Sequence, residues 1–99
     1  MILYFWEFIV KPDRMAEFQS AYGHQGSWVQ LFSRATGFVK SDLLRDTGNP
    51  LRFVTIDYWK SEESRIDFMH EFRNEYSELD TACESFTERE RHLGVMVQS

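Results

Sequence analysis

The sequence opens with a run of bulky residues that limits the folds open to the chain. Residues 2–10, ILYFWEFIV, are aromatic or β-branched except for Leu3 and Glu7, and Lys11-Pro12 follows them. This composition predicts a β-strand, because such residues favour extended backbone and proline lacks the amide hydrogen that a ladder needs. Side chains alternate between the two faces of a strand, and here both sets are mostly apolar. We therefore expect both faces of this strand to be covered.

Two short helices are predicted after this strand. Residues 12–22 begin with a proline, which suits the first turn of a helix, and then repeat apolar side chains at helical spacing. Ser27 is a favoured N-cap residue, and it precedes a second apolar stripe at helical spacing that runs to Ala35. Gly37 is expected to end this second helix.

The second half of the chain predicts a hairpin, a long helix and a final strand. Strands are predicted at residues 38–46, 51–59 and 93–97. Residues 47–50, TGNP, supply the turn of the hairpin. Ser61 is expected to cap a helix of about 25 residues whose apolar stripe bends near Leu79. The charged run at residues 84–91 is expected to form a solvated face.

The order of these elements predicts an α+β fold of the ferredoxin-like type, βαββαβ with an extra short helix. This pattern gives one four-stranded antiparallel sheet with its helices on one face. The other face is left bare, although the first strand is apolar on that side too. Burying about 800 Å² per subunit against a second copy would cover it. We therefore predict a single domain at residues 1–99 that forms a homodimer, its two sheets packed face to face as a dimeric α+β barrel.

Charge and cysteine content exclude several classes of partner and location. The 99 residues carry a formal net charge of −5, so no overall positive field attracts nucleic acid. Cys83 is the single cysteine and cannot form an internal disulfide. No positively charged leader and no apolar run of about 20 residues is present, which argues against secretion and membrane insertion. We expect a cytoplasmic protein.

Several segments together resemble one family, the dimeric α/β-barrel proteins of the antibiotic biosynthesis monooxygenase (ABM) type. The resemblance lies in VKP at 10–12, SWVQLF at 27–32, GF at 37–38, TIDYWKSEES at 55–64, YSELD at 76–80 and TERERHLG at 87–94. It covers nearly the whole chain. It implies the fold predicted above, and a family that includes cofactor-independent oxygenases of phenolic polyketides, haem-degrading oxygenases and small proteins whose reaction is unknown.

The haem-degrading branch is disfavoured. The resemblance implies that those enzymes use an Asn on the first strand, a Trp on the helix after the WxSE segment and a His about three turns later. Here the corresponding helix positions hold Phe68 and Glu78, and the first strand has no Asn.

In the polyketide-oxygenase branch, the resemblance matches the strand Trp to Trp59 and puts Thr55 where that branch has an amide. This branch implies no cofactor.

Nine residues are candidates for a site between the sheet and the helices. Asp57 and Thr55 are predicted to orient the substrate, and His70 to act as a remote base. The predicted substrate-binding residues are Trp59, Trp28, Phe32, Tyr22, Tyr76 and Glu7. Trp59 and Trp28 are expected to stack on a planar ligand.

Most of these residues also have a structural interpretation. Glu7 lies in an apolar strand, where desolvation would raise its pKa, but it could equally pair with Arg52, Arg45 or a helix residue. Asp57 could close a salt bridge, and the aromatic residues could be ordinary core. The three histidines lack the spacing of a metal site, so no metal is expected.

Two functions follow from these alternatives. One is a cofactor-independent monooxygenase that acts on a small aromatic or polyketide-type molecule. The other is a non-catalytic dimeric module that binds a small hydrophobic ligand or a partner protein.

Overall fold

Four strands form one antiparallel sheet in the order β2-β3-β1-β4. A computed structural model describes residues 1–99. The strands are β1 (Ile2–Val10), β2 (Phe38–Asp46), β3 (Asn49–Trp59) and β4 (Thr87–Val97). Every neighbouring pair is antiparallel, and the central strands are β1 and β3. The predicted ferredoxin-like α+β fold is confirmed.

Four helices cover one face of this sheet. They are α1 (Met15–Tyr22), α2 (Ser27–Phe32), α3 (Glu62–Glu71) and α4 (Arg73–Cys83). Single 3-10 turns, Pro12–Arg14 and Glu84–Phe86, precede α1 and follow α4. None of the helices is both long and apolar enough to cross a lipid bilayer.

The core lies between this helical layer and the sheet, in two clusters. The larger cluster consists of Ala21, Trp28, Leu31, Phe32, Trp59, Phe68, Phe72 and Cys83. The smaller one consists of Phe8, Val10, Phe18 and Phe53. Because large aromatic residues bury much surface each, they let a chain of this size form a dense core.

The predicted long helix is in fact two helices. Phe72 separates α3 from α4, with φ −111° and ψ 28°, so the break lies about two helical turns before the predicted bend at Leu79. Its buried side chain packs against Phe68, with ring centroids 5.4 Å apart and the ring planes tilted by 30°. The predicted cap is confirmed, because Ser61 accepts a hydrogen bond from the Ser64 amide in a capping box.

Other predicted boundaries also differ from the structure. Helix α2 ends at Phe32 instead of reaching Ala35, and Ser27 is its first residue, with Gly26 at the N-cap position. Strand β4 begins at Thr87 instead of Leu93, so most of the charged run at residues 84–91 is strand. Its charged side chains are exposed, as expected for a solvated face. Charged side chains are tolerated there because β4 is an edge strand, whose backbone pairs on one side only.

The sheet face without helices keeps a row of apolar side chains. By alternation along the strands, this helix-free face carries Leu3, Phe5, Ile9, Leu44, Val54, Ile56 and Met96. Leu44 and Met96 are half exposed, at 51% and 54%. The first strand is therefore apolar on both sides, as its sequence predicted.

Candidate functional site

A narrow cleft opens between the sheet and the helical layer. Its side chains enclose about 530 Å³ of empty space, part of which is open to solvent. The apolar lining is Trp6, Phe8, Tyr22, Trp28, Val29, Phe32 and Tyr76. A slot of this shape suits a flat molecule between aromatic walls.

Asp57 supplies a carboxyl group to this cleft from strand β3. Ser41 Oγ, on the neighbouring strand β2, donates a 2.7 Å hydrogen bond to Asp57 Oδ1. Burial raises the pKa of Asp57 to about 6, against the lowering effects of the Ser41 hydrogen bond and the charge of Arg65. The group is therefore mostly ionised at neutral pH and can still accept and return a proton.

Arg65 brings a positive charge to the same cleft from helix α3. Its guanidinium carbon lies 5.2 to 5.8 Å from the ring centroids of Tyr4, Trp59, Phe68 and Tyr76. No carboxylate lies within ion-pair distance, and its buried Nε has no hydrogen-bond partner. Aromatic faces stabilise such a cation but leave its N–H donors free. Arg65 can therefore donate to an anionic group in the cleft.

Two tyrosines and one tryptophan form the wall opposite the sheet. Burial raises the pKa of both Tyr22 and Tyr76, so both phenols stay protonated at neutral pH. Trp28 packs between them, with ring centroids 6.0 Å from Tyr22 and 5.1 Å from Tyr76. Its buried Nε1 has no hydrogen-bond partner. This wall thus offers neutral donors and ring faces to a ligand.

Two carboxylates, Asp80 and Glu90, line another part of the cleft. Burial raises the pKa of Glu90, and the negative charges of Asp80 and Glu84 raise it further. No group of three or more His, Cys, Asp or Glu side chains is close enough together to hold a metal ion.

Six of the nine predicted site residues line the cleft: Tyr22, Trp28, Phe32, Thr55, Asp57 and Tyr76. Thr55 is buried beside Asp57 on the same face of β3, as the strand alternation predicted. The remaining three predicted residues lie elsewhere.

Trp59 does not project into the cleft but is completely buried at the end of β3. Its ring packs edge-on against Phe32 and Phe38, with centroids 5.6 and 5.3 Å away. It shares a strand face with Thr55 and Asp57, but helix α3 begins just after it and closes over it. Trp59 is therefore a core residue in this structure, where no ligand can stack on it.

His70 and Glu7 also lie outside the cleft. His70 is exposed on α3, since two residues after the buried Phe68 place it about 200° around the helix. Glu7 faces the helix-free side of the sheet, where Arg52 Nε donates a 2.6 Å hydrogen bond to its Oε2. That bond holds the pKa of Glu7 below its usual value, so desolvation does not make it a base near neutral pH. Its predicted pairing with Arg52 is confirmed.

Sequence reasoning missed several residues that line the cleft. They are Trp6, Phe8, Val29, Ser41, Arg65, Asp80 and Glu90. Trp6 and Phe8 share the strand face expected to meet the helices, so alternation could have identified them. Ser41 is opposite Asp57 in the β2–β3 register, a signal that needs the exact hairpin pairing. An arginine in an amphipathic helix gives no such signal, because it is usually solvent-exposed.

Comparison with known proteins agrees with this fold. The family model described as antibiotic biosynthesis monooxygenase matches residues 1–71, which carry Thr55, Asp57 and Arg65. The chain belongs to the antibiotic biosynthesis monooxygenase family. The match ends before α4 and β4, which contribute Tyr76, Asp80 and Glu90 to the cleft.

Solved structures with the same fold include members of this family. SnoaB, a cofactor-independent oxygenase from Streptomyces nogalater, superposes with a TM-score of 0.81 at 21% identity over 99% of this chain and 92% of that chain. A protein from Bordetella bronchiseptica described as an antibiotic biosynthesis monooxygenase superposes with a TM-score of 0.74 at 23% identity, over 99% of this chain and 96% of that chain. A protein of the same description from Nitrosomonas europaea superposes with a TM-score of 0.73 at 19% identity, over 99% of this chain and 98% of that chain. No curated protein sequence matches the chain.

Proposed function

We propose that this ABM-family protein is a cofactor-independent monooxygenase that oxidises a small phenolic or polyketide-type aromatic molecule. The observation that carries the proposal is that one aromatic cleft contains both Asp57, a partly buried carboxyl with a pKa of about 6, and Arg65, a cation that forms no ion pair. The shared fold with SnoaB, a cofactor-independent oxygenase, agrees with it.

Substrate binding uses the shape of the cleft. A flat ring enters between the sheet and the wall formed by Tyr22, Trp28 and Tyr76, where stacked or edge-on contacts hold it. Thr55 donates a hydrogen bond to an oxygen of the substrate, in place of an amide side chain. The walls exclude most water, which strengthens every electrostatic interaction inside.

The first chemical step is removal of a proton from the bound substrate. Asp57 accepts the proton of the phenol, or of the carbon that gives an enolate, because its pKa of about 6 leaves it ionised yet basic at neutral pH. Arg65 then stabilises the negative charge that develops on the substrate oxygen. Asp57 touches the substrate in this scheme and is the predicted catalytic base.

The second step is reaction of the substrate anion with dioxygen. For an anthrone-type substrate, the enolate gives one electron to dioxygen, and the two radicals combine into a carbon-bound peroxide anion. That anion takes the proton back from Asp57 to form a hydroperoxide. Loss of the second carbon-bound proton with cleavage of the oxygen–oxygen bond leaves a carbonyl and water. A methylene group and dioxygen thus become a carbonyl group and water, with no external reductant.

We further propose that two copies pack their helix-free faces together. That face carries apolar side chains that no helix covers, and Leu44 and Met96 among them are half exposed. A stable interface buries about 800 Å² per partner, and pairing two such faces would cover these side chains on both subunits. The Glu7 carboxylate on the same face forms ion pairs with Arg52 at 2.6 Å and with Arg91 at 3.3 Å, so its charge is compensated within one subunit.

Oxygen uptake with a panel of anthrone- and hydroquinone-type phenols tests the monooxygenase. Purified protein is expected to consume dioxygen, and Asp57→Asn is expected to slow turnover about a hundredfold or more, as loss of a general base does. Thr55→Val is expected to slow turnover about tenfold. Asp67→Asn, which removes an exposed carboxyl from α3, serves as the matched control and should leave the rate unchanged.

A different result would favour the non-catalytic alternative. Tight binding of the same phenols without oxygen uptake would make the protein a binding module for a small hydrophobic ligand. Full activity in Asp57→Asn would overturn the role given to that carboxyl.

A further inference from the structure

A second, basic groove lies directly beside the cleft, between helix α3 and the edge of the sheet. It encloses about 780 Å³ of empty space, part of it open to solvent, and its lining consists of Tyr4, Trp6, Arg65, Ile66, Met69, His70, Arg73 and His92. Two of these residues, Trp6 and Arg65, line the cleft as well, so they form the wall that the two spaces share.

The charge of this groove is opposite to that of the whole molecule. The chain has a formal net charge of −5, yet the groove is lined by two arginines, two histidines and no acidic residue. Neither Arg65 nor Arg73 forms an ion pair or donates a side-chain hydrogen bond in the structure. The guanidinium N–H donors of both arginines therefore line this groove without a protein acceptor.

The groove also has a rigid aromatic floor. The rings of Trp6 and His92 stack with centroids 4.5 Å apart and an angle of 27° between their planes. Their strands are paired at this point, which fixes the two side chains next to each other. Ile66 and Met69 supply apolar contact on the opposite side, so the groove accommodates a charged group attached to a carbon skeleton.

We infer that the basic groove binds a carboxylate carried by an aromatic molecule whose ring occupies the cleft. This inference rests on the proposed function for the placement of the ring. The planar guanidinium of Arg73 matches a carboxylate through two parallel hydrogen bonds, and the imidazoles of His70 and His92 can add donors. Arg65, in the shared wall, lies between the ring and the carboxylate and can interact with either.

Binding of a hydroxynaphthoic acid and of its methyl ester tests this assignment. The two probes have the same ring, but only the acid is charged. Isothermal titration under nitrogen measures their affinities without turnover. The wild-type protein is expected to bind the acid about tenfold or more tightly than the ester, the difference that a charged hydrogen bond supplies.

The variants Arg73→Met and Lys60→Met separate the groove from general electrostatics. Arg73→Met is expected to weaken binding of the acid about tenfold while changing that of the ester by less than about twofold. His70→Gln should act in the same direction and more weakly. Lys60→Met removes an equal charge from an exposed residue outside the groove, and it should leave both affinities unchanged.

Two results would overturn the inference: equal affinity of the wild-type protein for acid and ester, or equal losses in Arg73→Met and Lys60→Met. Failure of the proposed function gives a different pattern. If the acid is preferred through Arg73 but neither probe supports oxygen uptake, the carboxylate groove stands and the monooxygenase does not. If both probes are oxidised with equal kcat/KM, the monooxygenase stands and the groove does not.

Discussion

Ser41 on β2 and Asp57 on β3 are joined across the sheet by a 2.7 Å hydrogen bond from Ser41 Oγ to Asp57 Oδ1. The bond stabilises the ionised carboxyl and opposes the effect of burial on its pKa. A hydroxyl on one strand therefore adjusts the basicity of the predicted catalytic group on the next. Two predictions follow from this pair.

Ser41→Ala is expected to raise the pKa of Asp57 above about 6. A hydrogen bond to a charged group contributes about 1.5 kcal/mol or more, so the increase should be about one pKa unit. The base must be ionised to act, so oxygen uptake should rise with pH through about 6 in the wild-type protein and at a higher pH in the variant. Ser77→Ala, an exposed serine on α4, should leave the profile unchanged. An unshifted profile in Ser41→Ala would contradict this role of the hydrogen bond.

Asp57→Asn is expected to change how stability depends on pH. The folded carboxyl has a pKa of about 6 and the ordinary value is 3.8, so between these values the folded state holds a proton that the unfolded state has released. The group therefore lowers the free energy of unfolding as pH rises through this window, by up to about 3 kcal/mol. Urea unfolding at several pH values should show that Asp57→Asn lacks this loss, whereas Asp67→Asn retains it. A parallel pH dependence in the wild-type protein and Asp57→Asn would count against the raised pKa.

The sheet side of the site could be predicted from the sequence, because alternation along a strand fixes which residues share a face. Thr55 and Asp57 were found in this way. The same rule misplaced Trp59, since alternation gives the face but not which neighbour covers that end of the strand. Only the packing of α3 over β3 decides that Trp59 is core.

The helical and edge-strand side of the site was much harder to predict. Arg65 lies among aromatic rings only because α3 is rotated to bury Phe68, and a charged residue in a helix usually signals solvent. Glu90 belongs to a charged run whose extended conformation depends on pairing with β1, a contact distant in sequence. Long-range pairing of this kind leaves no local pattern in the chain.

Gly37→Ala is expected to lower the melting temperature. A methyl group at Gly37 would overlap the side chain of Ser64, which takes part in the capping box of α3. Losing the cap costs about 1 kcal/mol, and the backbone must also shift. Differential scanning calorimetry should show a clear decrease for Gly37→Ala but little change for Gly48→Ala, where the new methyl group meets Asp46 at an ordinary 3.4 Å. Partial recovery in the double variant with Ser64→Gly would locate the overlap, and equal melting temperatures for the two single variants would contradict it.

Ile56→Asp is expected to separate the proposed homodimer. The residue lies on the helix-free face next to Phe5 and Asp42 in the sheet register, so a carboxylate there would be buried against the second copy. Sedimentation velocity at micromolar concentration should show a dimer for the wild-type protein and a monomer for the variant. Ile66→Asp, at an exposed isoleucine on the helical layer, should remain dimeric. A monomeric wild-type protein would end the proposal that these faces pair.

Arg65→Met is expected to remove stabilisation of the substrate anion while preserving the fold. Methionine keeps an unbranched apolar side chain among the rings of Tyr4, Phe68 and Tyr76, and it removes a cation whose buried Nε has no hydrogen-bond partner. The melting temperature should therefore stay the same or rise. The value of kcat/KM for oxygen uptake should fall about a hundredfold, the loss of about 3 kcal/mol expected for a charged donor to an anion.

Arg34→Met is the matched control for this substitution. The Arg34 guanidinium also lies over an aromatic ring, 4.7 Å from the centroid of Phe72, but it is exposed and outside the cleft. The Arg34→Met substitution should leave kcat/KM unchanged, because it removes an equal charge from a residue that does not touch the substrate. Full turnover in Arg65→Met would mean that the substrate reacts without an anion at this position, and the cleft would then have to activate dioxygen in another way.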